Sequence, residues 1–301
     1  MLKSGVYPAA VTPFDPSGRI DAAAMARLLA WFESSGCQGA VLAGTNGEGP
    51  SLSAIEKRDL LRDAMAVRGK LDIVLGVATS SLEEAVWLCS QAQRSGAVAG
   101  LVMPPSYFKE ATEGGITAWF LALMDRTDLP ILVYNFPQRT GVTLSADTLR
   151  LLAGHPRFAG AKDSSGSREN LQSYAAAMDG EKLLYVGNET LLLEALQAGW
   201  TGTISGAANV MPYPLSRIVA DFAAGRFESA EAKFAMALPA IQSIRANAQP
   251  STNKALLADI GVIASGAVRL PLESVGHLAE LREELELHLG PLNAMATSAS
   301  V

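Results

Sequence analysis

The chain has 301 residues, 49% of them apolar and 18% charged, which supplies a large core and is the opposite of a disordered composition. A formal net charge of −6 argues against a nucleic-acid partner, which calls for a basic face, and the even scatter of 27 Gly and 15 Pro excludes collagen-like and low-complexity classes. The only cysteines, Cys37 and Cys89, and the widely spaced His155, His277 and His288 give neither a disulfide framework nor a clustered zinc motif. With no signal-type apolar segment at the N-terminus and no apolar run of membrane-spanning length, the expected address is the cytoplasm, with no membrane partner.

Short apolar runs alternate with helical patterns along the chain. Residues 6–11 form the first run. Asp21 then caps a helix over 22–34, where Met25, Leu28, Leu29 and Phe32 share a face. The run 39–43 ends in a Gly-rich stretch, and Ser53 with Glu56 makes a capping-box pattern ahead of Leu60, Leu61, Ala64 and Met65. After the run 73–77, Ser81 with Glu84 marks another helix start, ahead of 85–92. The runs 100–103 and 131–135 follow. Ser145 opens a helix over 146–153, which Gly154 and Pro156 stop. The runs 158–162, 183–186 and 202–204 complete the set, with a helical stretch over 189–197 between the last two.

Nearly continuous apolar runs suit parallel strands buried on both faces. Eight βα units in roughly 220 residues predict an α/β chain folded as a closed (β/α)8 TIM barrel, not an open doubly wound sheet. Beyond Met211 the pattern is helical only, at 214–224, 228–246, 253–260 and 278–289. The expected organisation is a barrel over 1–211 and a helical extension over 212–301 packed on it.

Active sites of such barrels lie at the C-terminal ends of the strands. Three strand ends carry chemistry. After the second run comes Gly44-Thr45-Asn46-Gly47-Glu48-Gly49, which fits neither nucleotide fingerprint. Its backbone N–H groups could cradle a small carboxylate, or the glycines could serve a tight turn at positive φ. After the fifth run come Tyr134-Asn135-Phe136-Pro137 and Arg139-Thr140-Gly141. A rim tyrosine can relay protons and an arginine can clamp a carboxylate; the alternative is an aromatic cap and a solvated Arg139. The sixth run ends in Ala161-Lys162-Asp163. A lysine in an apolar barrel mouth loses hydration, and its neutral amine can attack a ketone to form a Schiff base. A salt bridge from Lys162 to Asp163 is the competing reading, and position alone leaves both open. Trp31, Trp87 and Trp119 read as helix residues packed on the barrel, and the acidic stretch 283–286 as a solvated helix face.

Together these loops resemble the dihydrodipicolinate synthase / N-acetylneuraminate lyase family of pyruvate-dependent class I aldolases. The resemblance runs from Val11-Thr12-Pro13-Phe14 to the C-terminal helices and rests on the GxxGE loop, the YNxP strand end with RTG, and the lysine of GAKDSSG. It implies Lys162 as the Schiff-base lysine and Tyr134 as the group that moves protons. Thr45 would hydrogen-bond that tyrosine, while its loop, Asn46 included, holds the keto-acid carboxylate. Tyr107 would be donated across a dimer interface to complete the relay. Arg139 would bind the second substrate's carboxylate, and Gly187 and Ile204 would line the keto-acid pocket. The partners implied are pyruvate and an aldehyde. The cofactor implied is none beyond the covalent Schiff base, and the assembly implied is a homodimer or homotetramer.

Three departures from the synthase pattern stand out: Asn46 where a second threonine is usual, Ser106 where many members have a second tyrosine, and Ala54 with Lys57 where lysine-inhibited members can carry histidines. The expected reaction is synthase-like condensation of pyruvate with aspartate semialdehyde. After it come 4-hydroxy-2-oxoglutarate or 2-keto-3-deoxy-sugar-acid aldolase, then N-acetylneuraminate lyase, and last a non-catalytic keto-acid-binding barrel. Feedback inhibition by lysine is not expected.

Overall fold

Eight parallel strands alternate with helices along the chain. The strands are β1 (Gly5–Pro8), β2 (Gly39–Leu42), β3 (Asp72–Val77), β4 (Ala99–Val102), β5 (Ile131–Asn135), β6 (Phe158–Asp163), β7 (Leu183–Val186) and β8 (Gly202–Ser205). The helices are α1 (Ala22–Ser34), α2 (Ala54–Val67), α3 (Leu82–Ser95), α4 (Glu113–Met124), the single turn α5 (Pro137–Thr140), α6 (Ala146–Ala153), α7 (Arg168–Ala177), α8 (Leu192–Gln197), α9 (Pro212–Ala223), α10 (Phe227–Ala246), α11 (Ser251–Asp259) and α12 (Ala279–Ser298). The computed structural model describes residues 2–178, 180, 182–276 and 278–298, so His277 lies outside the described residues. No helix among them is long and apolar enough to cross a membrane.

The strands pair in the order β1-β8-β7-β6-β5-β4-β3-β2. A parallel bridge between Ala9 and Val41 joins the last to the first, with the Ala10 N–H donating to the Val41 carbonyl at 2.9 Å. The sheet is therefore closed, a (β/α)8 barrel. Strand parity divides the apolar residues into two layers. Tyr7, Val41, Val74, Leu101, Leu132, Tyr185 and Ile204 fill the barrel interior. Val6, Ala40, Leu42, Ile73, Leu75 and Val133 face outward against the helices.

The caps read from sequence form as expected. Asp21, Ser53, Ser81 and Ser145 each accept a backbone N–H of the first helical turn, and Ser53 with Glu56 makes a full capping box. Two wall helices that the sequence patterns did not single out, α4 and α7, start the same way at Thr112 and Ser167. The first strand is shorter than the apolar run 6–11. Past Ala9, whose N–H still donates to the Ser205 carbonyl of β8 at 2.7 Å, the backbone donors leave the β1–β8 ladder: the Val11 N–H goes to the Asn209 side-chain oxygen at 3.0 Å. The stretch 189–197 is a 3₁₀ turn, Glu189–Leu191, followed by α8.

The helix following β8 is α9, which packs against β1 and α10. Leu215, Ile218, Ala237, Ile241 and Leu256 belong to the same buried cluster as the outward barrel residues. We propose that residues 212–301 be read as an extension whose first helix also closes the barrel wall.

Candidate active site

Tyr134 and Lys162 are register partners on β5 and β6, one residue short of the C-terminal end of each strand. Both face the barrel interior and both are buried. The Lys162 amine stands over the Tyr134 ring, with Nζ 4.2 Å from its centroid; Phe136 stacks on the same tyrosine at 5.7 Å. Asp163, the next residue, faces the other way by strand parity. Its carboxylate accepts from Asn135 Nδ2 at 2.7 Å and from Ser165 Oγ at 2.6 Å. The Lys162–Asp163 salt bridge weighed from sequence does not form, and Lys162 makes no ion pair among the described residues. Ser164, two residues beyond Lys162, returns to the inner side and donates a long hydrogen bond to the Tyr134 hydroxyl at 3.4 Å.

Opposite these strands, the loop after β2 brings Thr45 and Asn46 to the barrel mouth. Its glycines are not required by positive φ. The left-handed residues are Ala43 and Glu48, each at φ 53°. Gly47 and Gly49 are required by close approach: an added Cβ would stand 2.8 Å from the Ala10 carbonyl oxygen at the first and 1.9 Å from the Ala43 carbonyl oxygen at the second. The tight-turn reading of these two positions is thus corrected to one of backbone packing.

The loop is tied to α11 at two points. Asn253 Nδ2 donates to Asn46 Oδ1 at 3.0 Å, and the buried Lys254 forms an ion pair with Glu48. The Lys254 amine also donates to the Ala267 carbonyl at 2.7 Å and lies 3.8 Å from the centre of the Phe14 ring. Burial pulls this amine down to about 8, against the opposing pull of Glu48.

A cavity of about 230 Å³ opens between these elements. Thr45, Asn46, Tyr134, Arg139, Lys162 and Gly187 all line it. Gly187 permits this closeness, since a Cβ there would lie 2.0 Å from Ser164 Oγ and 2.8 Å from Lys162 Cε. Arg139 is exposed and, with Thr45, also borders a neighbouring cavity of about 460 Å³. The charged residues lining the Lys162 cavity are three basic ones (Arg139, Lys162 and Arg245) and one acidic, Glu189. A chain that is acidic overall therefore presents a basic mouth here, which favours anionic ligands.

The sequence profile described as the Dihydrodipicolinate synthetase family matches residues 2–288. The chain belongs to the dihydrodipicolinate synthetase family. As a member it is a class I, lysine Schiff-base lyase. A 4-hydroxy-tetrahydrodipicolinate synthase of Exiguobacterium sibiricum is 31% identical over 290 residues, covering 95% of this chain and 98% of that protein. One from Chlamydia abortus is 35% identical over 264 residues, covering 88% of each. Among solved structures, the synthase of Methylacidiphilum fumariolicum SolV superposes with a TM-score of 0.91 at 30% identity, covering 99% of both chains. A chloride-inhibited synthase of Acinetobacter baumannii, solved in complex with pyruvate, gives 0.90 at 29% identity, covering 95% of this chain and 99% of the other.

Two residues that the family resemblance pointed to stand apart from the cavity lining. Ile204 is a buried residue of the barrel interior, in the same inner cluster as Tyr134. Tyr107 is 79% exposed and packs edge-to-face on Phe108. Nor does Thr45 reach the Tyr134 hydroxyl directly; the hydrogen bond there comes from Ser164.

Sequence reasoning in the family frame missed Ser164, Glu189 and Arg245. Ser164 was legible from strand period, being two residues beyond Lys162. Glu189 follows the end of β7, where the strand-end rule applied. Arg245 lies near the end of α10, far along the chain from any strand end, and carries no local signal. Among the described residues no three His, Cys, Asp or Glu side chains gather as a metal-ligand set.

Proposed function

We propose that this protein condenses pyruvate with aspartate semialdehyde through a Schiff base on Lys162. The observation that carries the reading is an inward lysine with no ion-pair partner among the described residues, held over a buried tyrosine in a basic cavity at the C-terminal end of a family barrel. The Lys162 amine adds to the C2 ketone of pyruvate, and loss of water leaves an iminium. Removal of a C3 proton gives an enamine, with the electron pair drawn into the iminium nitrogen. C3 then attacks the aldehyde carbon, whose oxygen takes a proton. The semialdehyde amine displaces lysine at C2, closing the ring and freeing the enzyme. The electron sink is the iminium itself, so the sequence of steps needs neither metal nor organic cofactor.

Tyr134 is the proton carrier in this reading, steadied by Ser164 and Phe136. The Thr45-Asn46 loop receives the pyruvate carboxylate, and Gly187 leaves room for the adduct beside Lys162. Tyr107 joins the relay from a second copy of the chain. Two free, buried cysteines, each with its thiol pushed by burial up to about 12, fit a protein of a reducing compartment such as the cytoplasm.

Asn46 favours a second reading, because a side-chain amide lines the cavity where synthases carry a hydroxyl. That reading is cleavage of 4-hydroxy-2-oxoglutarate or a 2-keto-3-deoxy sugar acid to pyruvate and an aldehyde. Borohydride reduction in the presence of pyruvate tests the shared chemistry. The expected product is a reduced pyruvyl adduct on the peptide containing Lys162, absent from Lys162→Ala. An adduct on another lysine, or none, overturns the assignment. Relative kcat/KM for the semialdehyde, the two keto acids and N-acetylneuraminate then separates the synthase from the aldolases.

A further inference from the structure

The cavity has a second guanidinium besides Arg139. Arg139 follows β5, Lys162 is the penultimate residue of β6, and Arg245 leans on the residues that follow β7. The two arginines thus come to the same cavity from either side of the strand that carries the reacting amine. They are held differently. Arg139 is exposed and makes no side-chain hydrogen bond among the described residues. Arg245 is anchored: its Nη1 donates to Glu189 Oε2 at 2.6 Å and makes a longer contact with the Gly187 carbonyl at 3.5 Å.

The anchor is itself fixed. Glu189 is 1% exposed, and its other oxygen accepts from Ser205 Oγ at 2.7 Å and from the Ala207 N–H at 3.1 Å. Burial pushes this carboxyl upward, but Arg245, the hydroxyl and the backbone donors together hold it below the usual carboxylate range. A buried, fully bonded carboxylate therefore positions the arginine, while the Nη2 and Nε donors of Arg245 have no partner among the described residues. The side chain remains 36% exposed and lines the cavity. A planar fork with its position fixed and donors to spare matches an oxyanion in bidentate fashion.

We propose that Arg245 is a specificity-determining residue for the second substrate, engaging a carboxylate carried by the acceptor aldehyde on the β7 side of Lys162. The inference rests on the Schiff-base reading above and deepens it: Arg245, besides Arg139, reads the carboxylate of the acceptor. Arg139 then serves as the mobile guanidinium of the pair and Arg245 as the fixed one.

The test is steady-state kinetics of wild type, Arg245→Gln, Arg245→Lys and Arg245→Gln/Glu189→Gln. Pyruvate is the donor; the acceptors are aspartate semialdehyde and glyceraldehyde, which bears no carboxylate. Arg245→Gln is expected to raise KM for the semialdehyde by at least about tenfold. Its KM for pyruvate, its borohydride trapping on Lys162 and its rate with glyceraldehyde should stay within about twofold of wild type. Arg245→Lys should recover part of the loss. The double variant, which leaves no unpaired buried carboxylate, should show the same selective pattern. Equal losses with both aldehydes, a parallel loss for pyruvate, no loss at all, or a wild-type preference for glyceraldehyde would each overturn the proposal. Failure of wild-type Lys162 to trap pyruvate would instead sink the Schiff-base reading, so the two failures are distinguishable.

Discussion

Adjacent residues at the end of β6 do opposite work because a strand sends them to opposite sides. Lys162 points into the barrel and Asp163 into a hydrogen-bonded corner with Asn135 and Ser165. That outcome could have been read from parity alone, given the right strand boundary. What sequence could not supply is the crowding around the amine. Gly187 has no positive φ, so its role is spatial: an added methyl would collide with Ser164 Oγ and Lys162 Cε. Gly187→Ala is therefore expected to displace the lysine while sparing the fold. Displacements on the scale of an ångström cost about 10²-fold in rate, so kcat/KM should fall by about that factor. Thermal unfolding should shift little, because the crowded atoms are side-chain ends at a cavity and not the packed core. Loss of folding comparable to the loss of rate would mean that Gly187 serves the β7 backbone and not the site.

Whole elements position the rest of the site, and here the sequence was legible in part. Helix starts were readable because a cap and the backbone N–H it accepts lie within four residues of one another, as at Ser53 and Glu56. The clamp between α11 and the loop after β2 was not, since Asn46 and Asn253 are 207 positions apart and neither has a local signature. The clamp holds a loop whose Glu48 is in the left-handed region, a conformation that costs a non-glycine residue about 1–2 kcal/mol. Removing one partner of a buried pair strands the other charge, typically at about 3–5 kcal/mol. Lys254→Met should accordingly lower stability by an amount in that range and also depress kcat, because Thr45 and Asn46 ride on the same loop. Adding Glu48→Gln removes the stranded charge and should recover much of the stability without restoring full activity. Denaturant unfolding and turnover, measured on the two variants side by side, check the separation. Equal recovery of both would mean that the pair stabilises the barrel but does not set the loop.

At the scale of the molecule, the barrel was legible because eight apolar runs recur with helices between them, a pattern spread over most of the chain. Assembly was not, since an interface shows in one chain only as an uncovered surface. Tyr107 and Phe108 form such a surface: they are 79% and 69% exposed, with ring centres 5.3 Å apart. Large aromatic side chains left in water together favour a partner surface. A second copy of the chain is the occupant proposed here, with Tyr107 entering its neighbour's relay. Two damaged chains should then mend each other. In Lys162→Ala the amine is lost but Tyr107 is intact; in Tyr107→Phe the reverse holds. A mixed dimer unites the intact lysine of one subunit with the intact tyrosine of the other, in one of its two sites. Random exchange makes half of the dimers mixed, so specific activity per subunit should rise to about a quarter of wild type. The increase should appear only after subunits exchange, and it should vanish if the two chains are cross-linked as homodimers beforehand. Activity that never exceeds that of Tyr107→Phe alone would confine the relay to a single chain and leave Ser164, already bonded to Tyr134, as the hydroxyl that completes it.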